Sequence, residues 1–139
     1  MAGIQAPTQR ELEILKILWR NGEATVREVY EELRKELAIV QNTVQAFLRT
    51  MEEKGQVEHR VEGRTFIYRA AIEPEDTRQR LVDRVLNRVF DGALDQLVQS
   101  ALSLRQPSNA ELERLERLIA EAKAKDAKKG RASKKKSPD

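Results

Sequence analysis

A chain of 139 residues with 40% hydrophobic, 35% charged and only 4% aromatic residues has room for one domain, or a small domain plus an accessory one, and suits a mostly helical protein with wide solvated faces. It has no cysteine, which excludes disulfides, thiolate metal sites and thiol redox sensing. The net charge of +3 is unevenly divided: residues 123 to 139 carry eight Lys/Arg against Asp126 and Asp139, while the other 122 residues carry 18 basic and 21 acidic groups, so the basicity belongs to the C-terminal end.

The N-terminus lacks a charged segment leading into an apolar core, and no stretch approaches the ~20 apolar residues of a membrane span. A cytoplasmic protein with no membrane partner is expected. The first helix is predicted from Thr8, where Thr8-x-x-Glu11 is a capping box ahead of Leu12, Leu15, Ile17, Leu18 and Trp19, and it ends at Asn21-Gly22. A second box, Thr25-x-x-Glu28, opens a helix whose apolar face is Val26, Val29, Tyr30, Leu33 and Leu37. Trp19 and Tyr30 fall at apolar helical positions and read as packing residues.

A short connection from Leu37 to Val40 leads to a third helix, in which Val44, Phe47, Leu48 and Met51 recur at spacings of three and four and turn inward. The opposite face carries Asn42, Thr43, Gln45, Ala46 and Arg49, short polar and small groups where a solvated helix would favour Glu and Lys. Gly55 stops the helix. The run Val57 to Val61 alternates as a strand, Glu62-Gly63 makes a turn, and Arg64 to Tyr68 is the return strand. Three helices and a hairpin in this order describe a winged helix-turn-helix, with the third helix suited to the major groove of double-stranded DNA and the hairpin as the wing.

Pro74 opens a further section. Leu81, Val82, Val85, Leu86, Val89 and Phe90 give more apolar residues than a surface helix needs, Asp91-Gly92 breaks it, and a helix from about Ala93 to Leu104 follows. Ser108-x-x-Glu111 caps the last helix, which carries Leu112, Leu115, Leu118, Ile119 and Ala122. Three short helices make a thin core unaided, so a homodimer is expected, with Leu81, Val85, Val89, Leu97, Leu102, Leu115 and Leu118 at the dimerisation surface. The other arrangement folds these helices back on the winged helix of the same chain. From Lys123 the apolar period fades and a disordered tail is expected, either adding nonspecific DNA affinity or serving as a solubilising end.

The residue chemistry distributes roles along this frame. Amide and hydroxyl groups of Asn42, Thr43 and Gln45 suit base edges, Ala46 suits a thymine methyl, and Arg49 suits base or phosphate. Backbone N–H groups at Gln41 and Asn42 favour a phosphate, with Asn42 alternatively the N-cap. Lys54, Arg60 and Arg64 flank the wing and suit phosphates. Thr25 and Arg27 lie where backbone contact is possible, Arg27 alternatively pairing with a nearby Glu. His59, the single histidine, has no companion ligand and reads as a surface wing residue. No catalytic, cofactor or metal constellation is found, so no enzyme is expected.

These residues resemble the penicillinase-repressor (BlaI/MecI-type) family of bacterial winged-helix transcriptional regulators. The likeness rests on Glu11 to Trp19, on Gly22 to Val29, on the run Asn42-Thr43-Val44-Gln45-Ala46-Phe47-Leu48-Arg49-Thr50-Met51-Glu52-Glu53-Lys54-Gly55 and on Gly63 to Tyr68, and extends more weakly to Ala122. It implies a homodimeric repressor on a two-fold operator. One branch of the family is cleaved between an Asn and a Phe through a membrane sensor-protease; Ser100 and Ala101 stand at the aligned position here. Another branch uses C-terminal cysteine pairs, which this chain lacks, so the releasing protease or effector is not identified by either pattern.

The resulting expectation is a mainly α protein, a winged helix-turn-helix with a β-hairpin wing plus a C-terminal helical dimerisation domain. Residues 1–72 form the DNA-binding domain, 73–122 the dimerisation domain and 123–139 the basic tail. The alternative function is a winged-helix protein-interaction module with nonspecific DNA affinity from the tail. The short polar face of the third helix argues against it, because an interface favours aromatic or apolar anchors.

Overall fold

Thr8 and Glu11 satisfy each other's backbone. In the computed structural model, which describes residues 5–136, the Thr8 hydroxyl accepts the Glu11 N–H at 3.2 Å and the Glu11 carboxylate accepts the Thr8 N–H at 3.0 Å, opening α1 (Gln9–Asn21). The same reciprocal box at Thr25 and Glu28 opens α2 (Val26–Leu33). Regular helix stops at Leu33 rather than Leu37: the chain tightens into turns in which the Glu36 and Leu37 N–H groups both donate to the Leu33 carbonyl, and Leu37 still packs on the core.

The third helix, α3 (Gln41–Glu53), ends in a Schellman motif. Gly55 takes φ 82, its N–H donates to the Glu52 carbonyl at 3.1 Å, and the Gln56 N–H donates to the Met51 carbonyl at 2.9 Å. The hairpin is β2 (Val57–Glu62) and β3 (Thr65–Ala70). Glu62 pairs with Thr65, so the two-residue turn is Gly63-Arg64, one residue later than the sequence pattern suggests; Gly63 takes φ 65 and Arg64 stays at negative φ, the II′ pattern that matches strand twist. A two-residue strand, β1 (Ala24–Thr25), pairs with β3 through Ala24 opposite Tyr68 and Thr25 opposite Ile67, giving an antiparallel sheet of order β1-β3-β2.

The core forms where these elements converge. Ile14, Leu15 and Leu18 of α1, Val29 and Leu33 of α2, and Val44, Leu48 and Met51 of α3 meet Val57, Tyr68 and Ile72. Each fully buried aliphatic side chain contributes about 1.5–3 kcal/mol. Trp19 packs at the edge and its indole N–H donates to the Ile72 carbonyl at 2.9 Å, fixing the exit of the sheet.

Pro74 occupies the first turn of α4 (Pro74–Arg88), as expected from its fixed φ. This helix belongs to the first of two compact units, which divide after Ala93 rather than at 72/73. The reason is visible at its start and along its side: Thr77 is buried, and the Arg84 guanidinium donates to the carbonyls of Ala6 and Pro7 at 3.2 and 2.9 Å.

The second unit, from Leu94, contains α5 (Leu94–Leu104) and α6 (Asn109–Lys136). Ser108 and Glu111 cap α6 reciprocally, and the Arg105 fork grips the same carboxylate at 2.9 and 2.7 Å, which with the Ser108 N–H pulls the Glu111 carboxyl down to about 2. Residues 123–136, expected to be a disordered tail, continue this helix; their Ala and Lys residues are good helix formers, and cations near a helix C-terminus are favoured by the dipole. The last three positions of that expected tail lie outside the described residues. No helix among the described residues is long and apolar enough to cross a membrane.

Four segments are tied together by Glu11, which is 2% exposed. Its carboxylate accepts the Lys54 ammonium at 2.7 Å, the Gln56 amide at 3.4 Å and the Thr8 N–H, and the Gln56 amide also donates to the Gln5 carbonyl at 2.9 Å. Burial pushes the Glu11 carboxyl upward, but these donors outweigh it and hold it below the usual carboxylate value. A carboxyl depressed in the folded state stabilises above its unfolded pKa and loses that contribution as pH falls through the folded value. The urea midpoint of the wild-type chain should therefore fall more between pH 7 and pH 3 than that of Glu11→Gln. Removing only the cation, in Lys54→Met, should cost about 2–3 kcal/mol at pH 7 by urea unfolding, because a buried carboxylate loses its partner.

Candidate nucleic-acid interface

The two faces of α3 are as different as a helix allows. Val44, Leu48 and Met51 are completely buried, while Gln41, Asn42, Thr43, Gln45, Ala46 and Arg49 are all exposed. Phe47 lies between, half-buried against the core. Val40 is the N-cap and offers no side-chain hydrogen bond, so Asn42 lies inside the first turn and is not the cap. The Thr43 and Val44 N–H groups both donate to the Val40 carbonyl, which leaves the Gln41 and Asn42 N–H groups ahead of the first helical hydrogen bond. An uncapped helix start beside short polar side chains can take a phosphate on the backbone and base edges on the side chains.

The wing is locked to this helix by a contact that the sequence reading missed. His59 Nδ1 lies 2.7 and 2.8 Å from the two carboxylate oxygens of Glu52, in the last turn of α3; a carboxylate only accepts, so this nitrogen donates. The imidazole stacks on Phe66 with ring centroids 4.2 Å apart and planes 12° from parallel, and Tyr68 tilts against it at 5.5 Å. Burial and Glu52 push the Tyr68 hydroxyl up, partly offset by Arg49, so both charged ends of that helix turn bear on the wing base. His59 is therefore a clamp between wing and helix rather than a plain surface residue. Its parity with Val57 and Val61 along the strand carries the signal, since alternate residues share one face.

The basic residues split into three groups. Arg49 and Arg64 are exposed and make no ion pair among the described residues, with Arg64 in the wing turn. Arg60, on the opposite face of β2 from His59, is held by Glu23 at 2.9 Å and Glu62 at 2.8 Å, exposed pairs that cost little to exchange for a phosphate. Lys54, expected from the sequence to suit a phosphate, has its ammonium 2.7 Å from the buried Glu11 carboxylate, a partner the sequence reading did not foresee. Arg27 makes an exposed i,i+4 ion pair with Glu31 at 4.0 Å. Among the described residues no three carboxylate or imidazole groups converge to hold a metal ion.

The apolar positions expected at a dimer surface are exposed to different degrees. Val85, Val89, Leu102 and Leu118 are exposed, at 42%, 66%, 41% and 59%, whereas Leu81, Leu97 and Leu115 are half-buried within their own units.

Comparison with known proteins gives the family. The family model described as penicillinase repressor matches residues 7–121. The chain belongs to the penicillinase repressor family. It is 31% identical over 123 residues to the penicillinase repressor of Bacillus licheniformis, an alignment covering 88% of this chain and 96% of that one. It is 21% identical over 109 residues to the methicillin resistance regulatory protein MecI of Staphylococcus aureus strain N315, covering 78% and 89%. A solution structure of the DNA-binding domain of the repressor BlaI aligns with 33% identity and a TM-score of 0.49 over 55% of this chain and 93% of that domain. Membership places the chain among transcriptional repressors, which are not a class of enzymes.

The clamp has a measurable consequence. Replacing the acceptor, in Glu52→Ala, removes the His59 bond, worth about 1 kcal/mol, and should speed amide hydrogen exchange along β3 about fivefold while the α1 amides stay unchanged. Equal acceleration throughout the winged helix would show that Glu52 supports the whole core and not the wing.

Proposed function

We propose that this family member is a homodimeric, sequence-specific DNA-binding repressor that acts in the cytoplasm on a palindromic operator and blocks transcription sterically. The observation that carries the reading is the exposed face of α3, whose short polar groups sit on a helix anchored on its other side by the buried Val44, Leu48 and Met51. Asn42, Thr43, Gln45 and Ala46 read base edges in the major groove; Gln41 and Asn42 offer backbone N–H groups to a phosphate. Arg49 serves base or phosphate, and Arg60 and Arg64 grip the backbone from the wing.

The names of the relatives, a penicillinase repressor and a methicillin resistance regulatory protein, support repression as the outcome of binding. Dimerisation is supported by the exposed apolar residues of α4, α5 and α6, which a second copy would cover. The dimerisation region of the sequence reading, residues 73–122, keeps that role here even though α4 packs with the winged helix. Two recognition helices related by a two-fold axis fit half-sites about 10 base pairs apart, or a multiple of this. Release from the operator falls to an effector or protease outside the chain.

Selection of bound sequences from a random duplex pool by the purified full chain tests the reading. A motif with two-fold symmetry is expected, and sedimentation should give twice the 16.0 kDa chain mass. Leu102→Glu should shift the chain toward monomer and weaken capture of the full site more than of a half-site. No enriched motif from folded protein would overturn the proposal.

A further inference from the structure

The region matched by the family model ends at residue 121, but α6 continues as helix to Lys136. This extension is about 21 Å long at 1.5 Å per residue. Its charge pattern changes at the same place. Up to Glu121 the helix mixes signs, with Glu111, Glu113 and Glu116 beside Arg114 and Arg117, as a plain solubilising surface does. From Lys123 to Lys136 eight basic residues face only Asp126.

Lys123, Lys125, Lys128 and Lys129 are exposed and make no ion pair among the described residues. Lys125, Lys128 and Lys129 are spaced i, i+3 and i+4, so helical geometry gathers them on one face, where like charges repel. A polyanion along that face would relieve the repulsion. The composition narrows which one: residues 123–139 contain no aromatic residue and no Leu, Ile, Val or Met, so nothing is present to enter a lipid headgroup layer or to stack on unpaired bases. Duplex phosphate needs only point cations.

We infer that the C-terminal extension of α6 is a second DNA-binding element, which contacts the phosphate backbone of duplex DNA without reading sequence. The inference rests on the repressor reading above for its partner, and adds to it a site outside α3 and the wing. Because each ammonium on a phosphate releases counterions, the element raises affinity for all duplexes and steepens the dependence on salt.

The test uses the full chain and a fluorescent random-sequence duplex titrated between about 50 and 200 mM salt. Substituting Lys123→Gln, Lys125→Gln, Lys128→Gln and Lys129→Gln together keeps good helix formers in place, which circular dichroism verifies. The slope of log affinity against log salt should shrink by about 3–4 per chain, and affinity at the lowest salt should drop at least tenfold. Preference for a selected site over random DNA should stay as in the wild type. An unchanged slope overturns the inference, as does an unchanged slope with loss of binding to phosphatidylserine vesicles, which would assign the lysines to a membrane surface. Failure of the repressor reading looks different: no site is enriched from the pool, whatever the slope does.

Discussion

The Glu11 carboxylate sits where the N-terminal segment, the start of α1, the end of α3 and the start of β2 meet, and it is almost wholly removed from water. A charge in that position is tolerated only when its lone pairs are filled. Thr8 from the start of α1 and Lys54 and Gln56 from the exit of α3 fill them. The arrangement fixes the exit of α3 relative to α1, and so fixes the roll of α3 about its own axis. That roll decides which residues face outward.

From there the architecture works by division. On the inward half of α3 Val44, Leu48 and Met51 are completely buried and Phe47 packs half-buried beside them, which holds the helix in place; the outward half is short and polar, which lets it approach another surface closely. The wing is tied to the same helix through Glu52 and His59. Long exposed cations lie at the margins of that face, Arg49 on α3 and Arg64 in the wing turn. The largest unbalanced charge lies farther along the chain, on the extension of α6.

Much of this was legible before any coordinates. The three capping boxes, the apolar face of α3, the glycine stop at Gly55 and the hairpin follow from local rules, because each depends on residues close together in sequence. What local pattern missed depends on partners far apart. Lys54 looks like a free surface cation until Glu11, 43 positions away, is brought to it. His59 looks solvated until Phe66 and Glu52 close around it. The strand Ala24–Thr25 has no signal of its own, since it exists only by pairing with β3. Disorder was expected for the basic end because apolar periodicity fades there, whereas helix propensity, carried by its Ala and Lys residues, keeps α6 going. The family resemblance, read from the first helix to Ala122, holds, and the family match covers residues 7–121.

The central claim is that short polar groups on α3 choose the sequence while the long cations only hold the backbone. Affinities of Gln45→Ala and Arg64→Ala for a selected duplex and for random duplex, at one salt concentration, separate the two roles. The account predicts that Gln45→Ala loses about 1–3 kcal/mol on the selected site and little on random DNA, whereas Arg64→Ala weakens both alike. Equal losses on both duplexes for Gln45→Ala would contradict it.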